Sequence, residues 1–67
     1  MKIYIVTEIE TNTCQVTNYV FSSIEEAKAH FFYVCSEYYA SEENIDMENL
    51  YYSEEGFTVY VKEHNLN

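Results

Sequence analysis

The alternation of apolar and polar positions divides this chain into two hairpins around one helix. In "KIYIVTEIE", residues 2 to 10, Ile3, Ile5 and Ile9 fall on one side and Tyr4, Val6 and Glu8 on the other. A period of two in a β-branched run predicts a strand. "TNT" at 11–13 breaks the run, with Asn12 expected to take the left-handed turn conformation. "CQVTNYVF", Cys14 to Phe21, then resumes extended character.

The period changes next. Ile24, Ala27, Phe31, Val34, Cys35 and Tyr38 recur at helical spacing and predict a helix over about 23–40 with one apolar face. Ser22 stands three residues before Glu25, and Ser23 three before Glu26, so either pair can open a capping box. Glu26, His30, Tyr33 and Glu37 recur at four, three and four, a stripe expected to face water.

"SEENIDMEN" at 41–49 has no sustained period and reads as a loop or short helical turn, with Ile45 and Met47 dipping toward the core. "NLYYS" and "FTVYVKE" flank "EEG" as a second hairpin. Gly56, the single glycine, stands where a positive φ would close the turn. In the last strand Phe57, Val59 and Val61 share one side, and Thr58, Tyr60 and Lys62 the other. The tail "HNLN" is expected to fray.

Strand, strand, helix, strand, strand (ββαββ) predicts an α+β fold: a four-stranded, mainly antiparallel sheet with the helix packed on one face, a single domain over 1–67. The other face should be open and carry Tyr4, Glu8, Tyr60 and one or both of Tyr51 and Tyr52. A one-residue slip in any strand would exchange the faces.

Charge narrows the function. Twelve acids against three lysines and no arginine give a formal net charge of -9. That field repels phosphate backbones and anionic lipid, so neither direct nucleic-acid binding nor membrane binding is expected. It attracts basic partners instead, and it also keeps a small protein soluble. Aromatic residues make up 18 % of the chain, far too many for a disordered acidic tail. No run is long enough to span a bilayer, and "MKIYIVTEIE" turns polar too early for a signal peptide, so a cytoplasmic location is expected. Cys14 and Cys35 then read as reduced, small core residues, with a disulfide between them left open by the spacing.

Catalytic patterns are missing. Cys35 belongs to the core face and His30 to the outward stripe, which separates a thiol from its base. One glycine cannot make a phosphate-cradling loop. "EENIDMEN" lacks the alternation and central glycine of a calcium loop, and the cysteines and histidines are too widely spaced for zinc. No enzyme activity, cofactor or metal is expected.

What remains is a surface. Residues 38–56 hold six acids and four tyrosines without a positive charge. Glu42, Glu43, Asp46, Glu48, Glu54 and Glu55, with Tyr51 and Tyr52, are the candidate partner-binding residues, and Glu26, Tyr33 and Glu37 of the helix form a second patch. Acids one helical turn apart lie about 5–6 Å from each other, the same order as successive phosphates. A cleft lined with Arg and Lys would pair with carboxylates at that spacing, and tyrosine adds contact area at low entropic cost.

Short length, one sheet-and-helix domain, the acid excess of "SEENIDMEN", "SEEG" and "SSIEEA", and exposed tyrosine make the chain resemble, as a class, the small acidic inhibitors that phages and other mobile elements encode against host defence. Anti-CRISPR and anti-restriction DNA mimics are among them. The resemblance implies a non-enzymatic inhibitor acting in the cytoplasm of a host cell on a basic nucleic-acid-binding protein or effector complex. The class shares no motif, so it transfers no site residue, and several of its members grip a protein surface away from any nucleic-acid site. The alternative is a small interaction module or regulatory subunit that uses its open sheet face or an edge strand. In that case Tyr4, Tyr60, Tyr51 and Tyr52 would matter more than the acids.

Overall fold

The computed structural model describes residues 1–66. Strands β1 (Lys2–Glu10), β2 (Gln15–Phe21), β3 (Tyr51–Glu54) and β4 (Phe57–Asn65) form one antiparallel sheet in the order β2-β1-β4-β3. Helix α1 (Ile24–Glu37) lies across one face, and a 3₁₀ turn covers Glu42–Asn44. The two long strands occupy the centre, so the first and last segments of the chain pair along their whole length, from Lys2↔Asn65 to Glu10↔Phe57.

The core is the layer between helix and sheet. Ala27, Phe31, Val34 and Cys35 of α1 meet Val6, Tyr52, Phe57 and Val59 of the sheet, with Leu50 closing one end. Val6, Phe31 and Val59 are fully buried. In β1 the faces are the reverse of the expected ones: Tyr4, Val6, Glu8 and Glu10 lie on the helix side, while Ile3, Ile5 and Ile9 lie on the open face with Tyr60 and Tyr51. Both sides of this strand are apolar, so its alternation does not choose between them, and a slip of one residue exchanges the faces. Val6, small enough to lie under Phe31, marks the side that the core took.

Four local expectations are also corrected. The left-handed residue of the first hairpin is Cys14 (φ 56) instead of Asn12. Asn12 packs its amide against Gly56, and the Thr11 N–H donates to the Gly56 carbonyl (3.0 Å), so the two hairpin turns lie side by side. Cys14 is an exposed thiol outside the core, whereas Cys35 is buried as expected, and both are free. Met47 is exposed, leaving Ile45 and Leu50 as the residues of that segment that reach the core. The tail is a strand as far as Asn65, because His64 and Asn65 pair with Ile3 and Lys2. Asn67 lies outside the described residues.

The remaining punctuation follows the sequence. Ser23 caps α1, its Oγ accepting from the Glu26 N–H (3.2 Å) and donating to the Glu26 carboxylate (3.3 Å). Gly56 takes φ 87 between β3 and β4. α1 ends at Glu37, short of the expected 40, in a Schellman turn: the Ala40 N–H donates to the Cys35 carbonyl and the Tyr39 N–H to that of Ser36. Tyr39 holds the left-handed position of this turn (φ 54), where glycine is usual.

Candidate protein-binding surface

Among the described residues, no strand places a carboxylate on the open face of the sheet. Glu8, Glu10, Glu54 and Glu63 all lie on the helix side, in register with buried Val6, Val59, Phe57 and Tyr52. Glu25, Glu26 and Glu37 stand on the helix itself, and the other five acids occupy the connections. The strands thus direct negative charge to one side of the molecule.

On that side the end of α1 assembles a cluster. Tyr38 stacks on Phe57 with ring centroids 3.9 Å apart and planes 14° off parallel. Its hydroxyl is held above the ordinary tyrosine range, first by burial and then by the charges of Glu10, Glu8, Glu54 and Glu37. Glu8 and Glu10 of β1 line one small crevice with Tyr38 and Phe57, Glu54 of β3 stands across from Phe57 in register, and Glu37 directly precedes Tyr38, so four carboxylates bear on one tyrosine. Among the described residues no three acids, histidines or cysteines are gathered tightly enough to hold a metal ion. Tyr39, the next residue, is 94 % exposed.

The expected residues fall into three places. Glu37 and Glu54 belong to the Tyr38 cluster, with Glu55 in the adjoining turn and exposed Glu42 and Glu43 just beyond Tyr39. Asp46, Tyr51, Tyr60, Lys62 and Glu63 line a shallow depression beside β3, at the end of the sheet away from Tyr38, with Glu48 exposed in the neighbouring turn. Glu26 and Tyr33 sit along α1, where Glu37 pushes the Tyr33 hydroxyl up by hydrogen bonding and by charge.

Two of these residues are committed to structure. Asp46 accepts from the Glu48 N–H (3.1 Å), the Asn49 N–H (3.0 Å) and the Asn49 side chain (3.0 Å). The bonds from Asn49, then that from Glu48, hold its carboxyl below the usual range. Tyr52 buries its ring in the core at 6 % exposure and offers only its hydroxyl, which donates to Glu54 (3.0 Å). Burial, then Glu54, raises its pKa.

His30 leaves the outward stripe. Its ring lies 4.4 Å from that of Tyr19 and 5.5 Å from that of Phe21, and its Nε2 is 3.3 Å from Glu8. It fills the flank between α1 and β2, drawn in by aromatic residues of a strand that helical periodicity does not see. Glu8, expected on the open face, and Glu10, not among the expected site residues, join the helix side for the same kind of reason: strand register fixes it. Compared with known proteins, the chain matches no family model, no curated protein and no solved structure.

Proposed function

We propose that this chain is a non-enzymatic inhibitor whose acidic, tyrosine-bearing side occupies the basic cleft of a nucleic-acid-binding protein, a CRISPR effector or similar defence nuclease, and so denies it nucleic acid. One observation carries the reading: Glu8 and Glu10 line a crevice with Tyr38 and Phe57, Glu37 and Glu54 adjoin it, and Tyr39 protrudes beside it, while the strands place no carboxylate on the opposite face. Separated carboxylates on a rigid scaffold suit an array of Arg and Lys spaced for phosphates. An exposed aromatic ring adds affinity that charge alone would lose to salt.

The test is capture by the tagged protein from cells that encode CRISPR and restriction systems, eluted in steps of rising salt. A nucleic-acid-binding effector should leave at moderate salt, compete with DNA for the inhibitor, and fail to bind Glu37→Lys/Glu54→Lys or Glu42→Lys/Glu43→Lys variants. Capture that survives high salt and both charge reversals would overturn the proposal. A second reading, an interaction module working through the sheet, is favoured by the open face itself, where Ile3, Ile5 and Ile9 adjoin the Tyr51–Tyr60 pair, ring centroids 6.3 Å apart. It predicts salt-insensitive capture that is lost in Tyr51→Ala and Tyr60→Ala.

A further inference from the structure

The two edges of the sheet are finished differently. In an antiparallel ladder the backbone groups of successive residues point alternately to the two sides of the strand. The Thr11 N–H bonds to Gly56, so odd residues of β1 address β4 and even residues address β2. By the pairing Glu10↔Gln15 through Tyr4↔Phe21, the odd residues of β2 then bond to β1. Val16, Asn18 and Val20 are left with three N–H and three C=O groups directed off the edge. On the far edge the same geometry turns Tyr51 outward, but Asp46 folds back to exchange both bonds with it (2.9 and 3.2 Å), and that strand is four residues long. One edge is short and partly covered. The other is seven residues long and bare.

Edges of this kind are ordinarily blunted by lysine, proline or a bulge. β2, "QVTNYVF", has neither lysine nor proline and pairs with β1 without interruption. It is the one strand without a charged side chain among the described residues, in a chain of net charge -9. Val16 and Val20 are 60 and 61 % exposed. Among the strands, this one alone brings no charge of its own to a meeting of two such molecules.

We propose that the β2 edge pairs with the β2 edge of a second copy, antiparallel about a two-fold axis through Asn18, to make one continuous eight-stranded sheet. The register is self-complementary. Asn18 faces its own counterpart and Val16 faces Val20 twice, and this pairing engages all of the outward N–H and C=O groups of Val16, Asn18 and Val20. Asn18 is already oriented, its Oδ1 accepting from the Thr7 hydroxyl (2.8 Å), which leaves its side-chain N–H₂ free to reach across the axis. Val16 and Val20 of both copies then extend the aliphatic face formed by Ile3, Ile5 and Ile9. This pairing is independent of the inhibitor reading, since it uses none of the acidic side.

The experiment is sedimentation equilibrium of the whole chain over a concentration series, with the fold of each variant checked by circular dichroism. The wild type should approach twice its 8.0 kDa mass. Val16→Lys/Val20→Lys, which sets lysine against lysine in this register, should sediment as a folded monomer. Val16→Glu/Val20→Lys sets glutamate against lysine twice and should remain dimeric. A wild type that stays monomeric throughout would overturn the proposal, as it would if the edge served only a different protein. So would loss of the dimer in both variants, the outcome for face-to-face stacking, where every new charge would be buried.

Discussion

Tyr39 stands where a helix usually ends in glycine, and it is almost wholly in water. A left-handed conformation costs a residue with a Cβ about 1–2 kcal/mol, of which glycine would return about 0.4–1 kcal/mol through the freedom of the unfolded chain. Tyr39→Gly should therefore raise the unfolding free energy by about 0.5–1 kcal/mol, read as a higher urea midpoint at unchanged slope. If the ring is kept for a partner, the same variant should bind that partner more weakly, so that stability and capture move in opposite directions. Gly56 is the converse case. A Cβ there would lie 2.9 Å from the Asn12 amide on a backbone at φ 87. Gly56→Ala should lower the unfolding free energy by about 1–2 kcal/mol, and removing the Asn12 side chain as well should recover the steric part but not the backbone strain. The titrating groups give stability two limbs. Asp46 has a folded pKa below its ordinary 3.8, so its contribution is present above that value and disappears as pH falls through the lower one. Tyr33, Tyr38 and Tyr52 are raised above 10.0, so their contribution is present below pH 10 and is lost as pH rises through the higher values. Thermal melts across pH should show both limbs, and Asp46→Ala should flatten the acid one alone.

The elements were legible to unequal degrees, for physical reasons. α1 has one apolar stripe and a serine cap, and it began where the pattern placed it, ending three residues early at Glu37; Ser23→Ala should cost about 1 kcal/mol in chemical denaturation, with Ser22→Ala near neutral. The faces of β4 as far as Lys62 read correctly because Thr58 and Lys62 stand opposite Phe57, Val59 and Val61, whereas the adjacent tyrosines of β3 gave no preference and only Tyr52 went inward. β1 did not read correctly, because isoleucines and Tyr4 with Val6 make both its sides apolar, and only packing under Phe31 decides between them. The consequence spread to the candidate site. The acids of the connections were visible as a charge run, but Glu8 and Glu10 join the Tyr38 cluster only once β1 has turned them to the helix side. His30 and Tyr52 went the other way, from expected surface to a half-buried flank and to the core, because each is held by residues distant in sequence: Tyr19, Phe21 and Glu8 in one case, the helix in the other. The strand that continues through His64 to Asn65 was equally invisible, since polar residues in a central strand are kept there by pairing with β1.

At the scale of the molecule, negative charge is unbalanced over a body 36 × 26 × 15 Å across. At about 0.01 M salt the screening length is about 30 Å, so carboxylates at opposite ends still repel; at about 0.15 M it is about 8 Å and only neighbours do. The melting temperature should therefore climb over that range, whereas capture by a basic partner should weaken. The same body has its two described ends side by side: the Leu66 N–H donates to the Met1 carbonyl (2.7 Å) and the Met1 ammonium to that of Leu66 (3.3 Å). The central strand pair thus joins the parts of the chain that are farthest apart in sequence, and loop closure between them must precede the sheet. A circular permutant, with Leu66 linked to Met1 through a few residues and new ends cut after α1 at Ser41–Glu42, would turn β4 and β1 into a hairpin while keeping β1 with β2 and β3 with β4, so that every pairing in the sheet becomes local. It should reach the same fold at lower contact order and collapse to it faster than the natural order does.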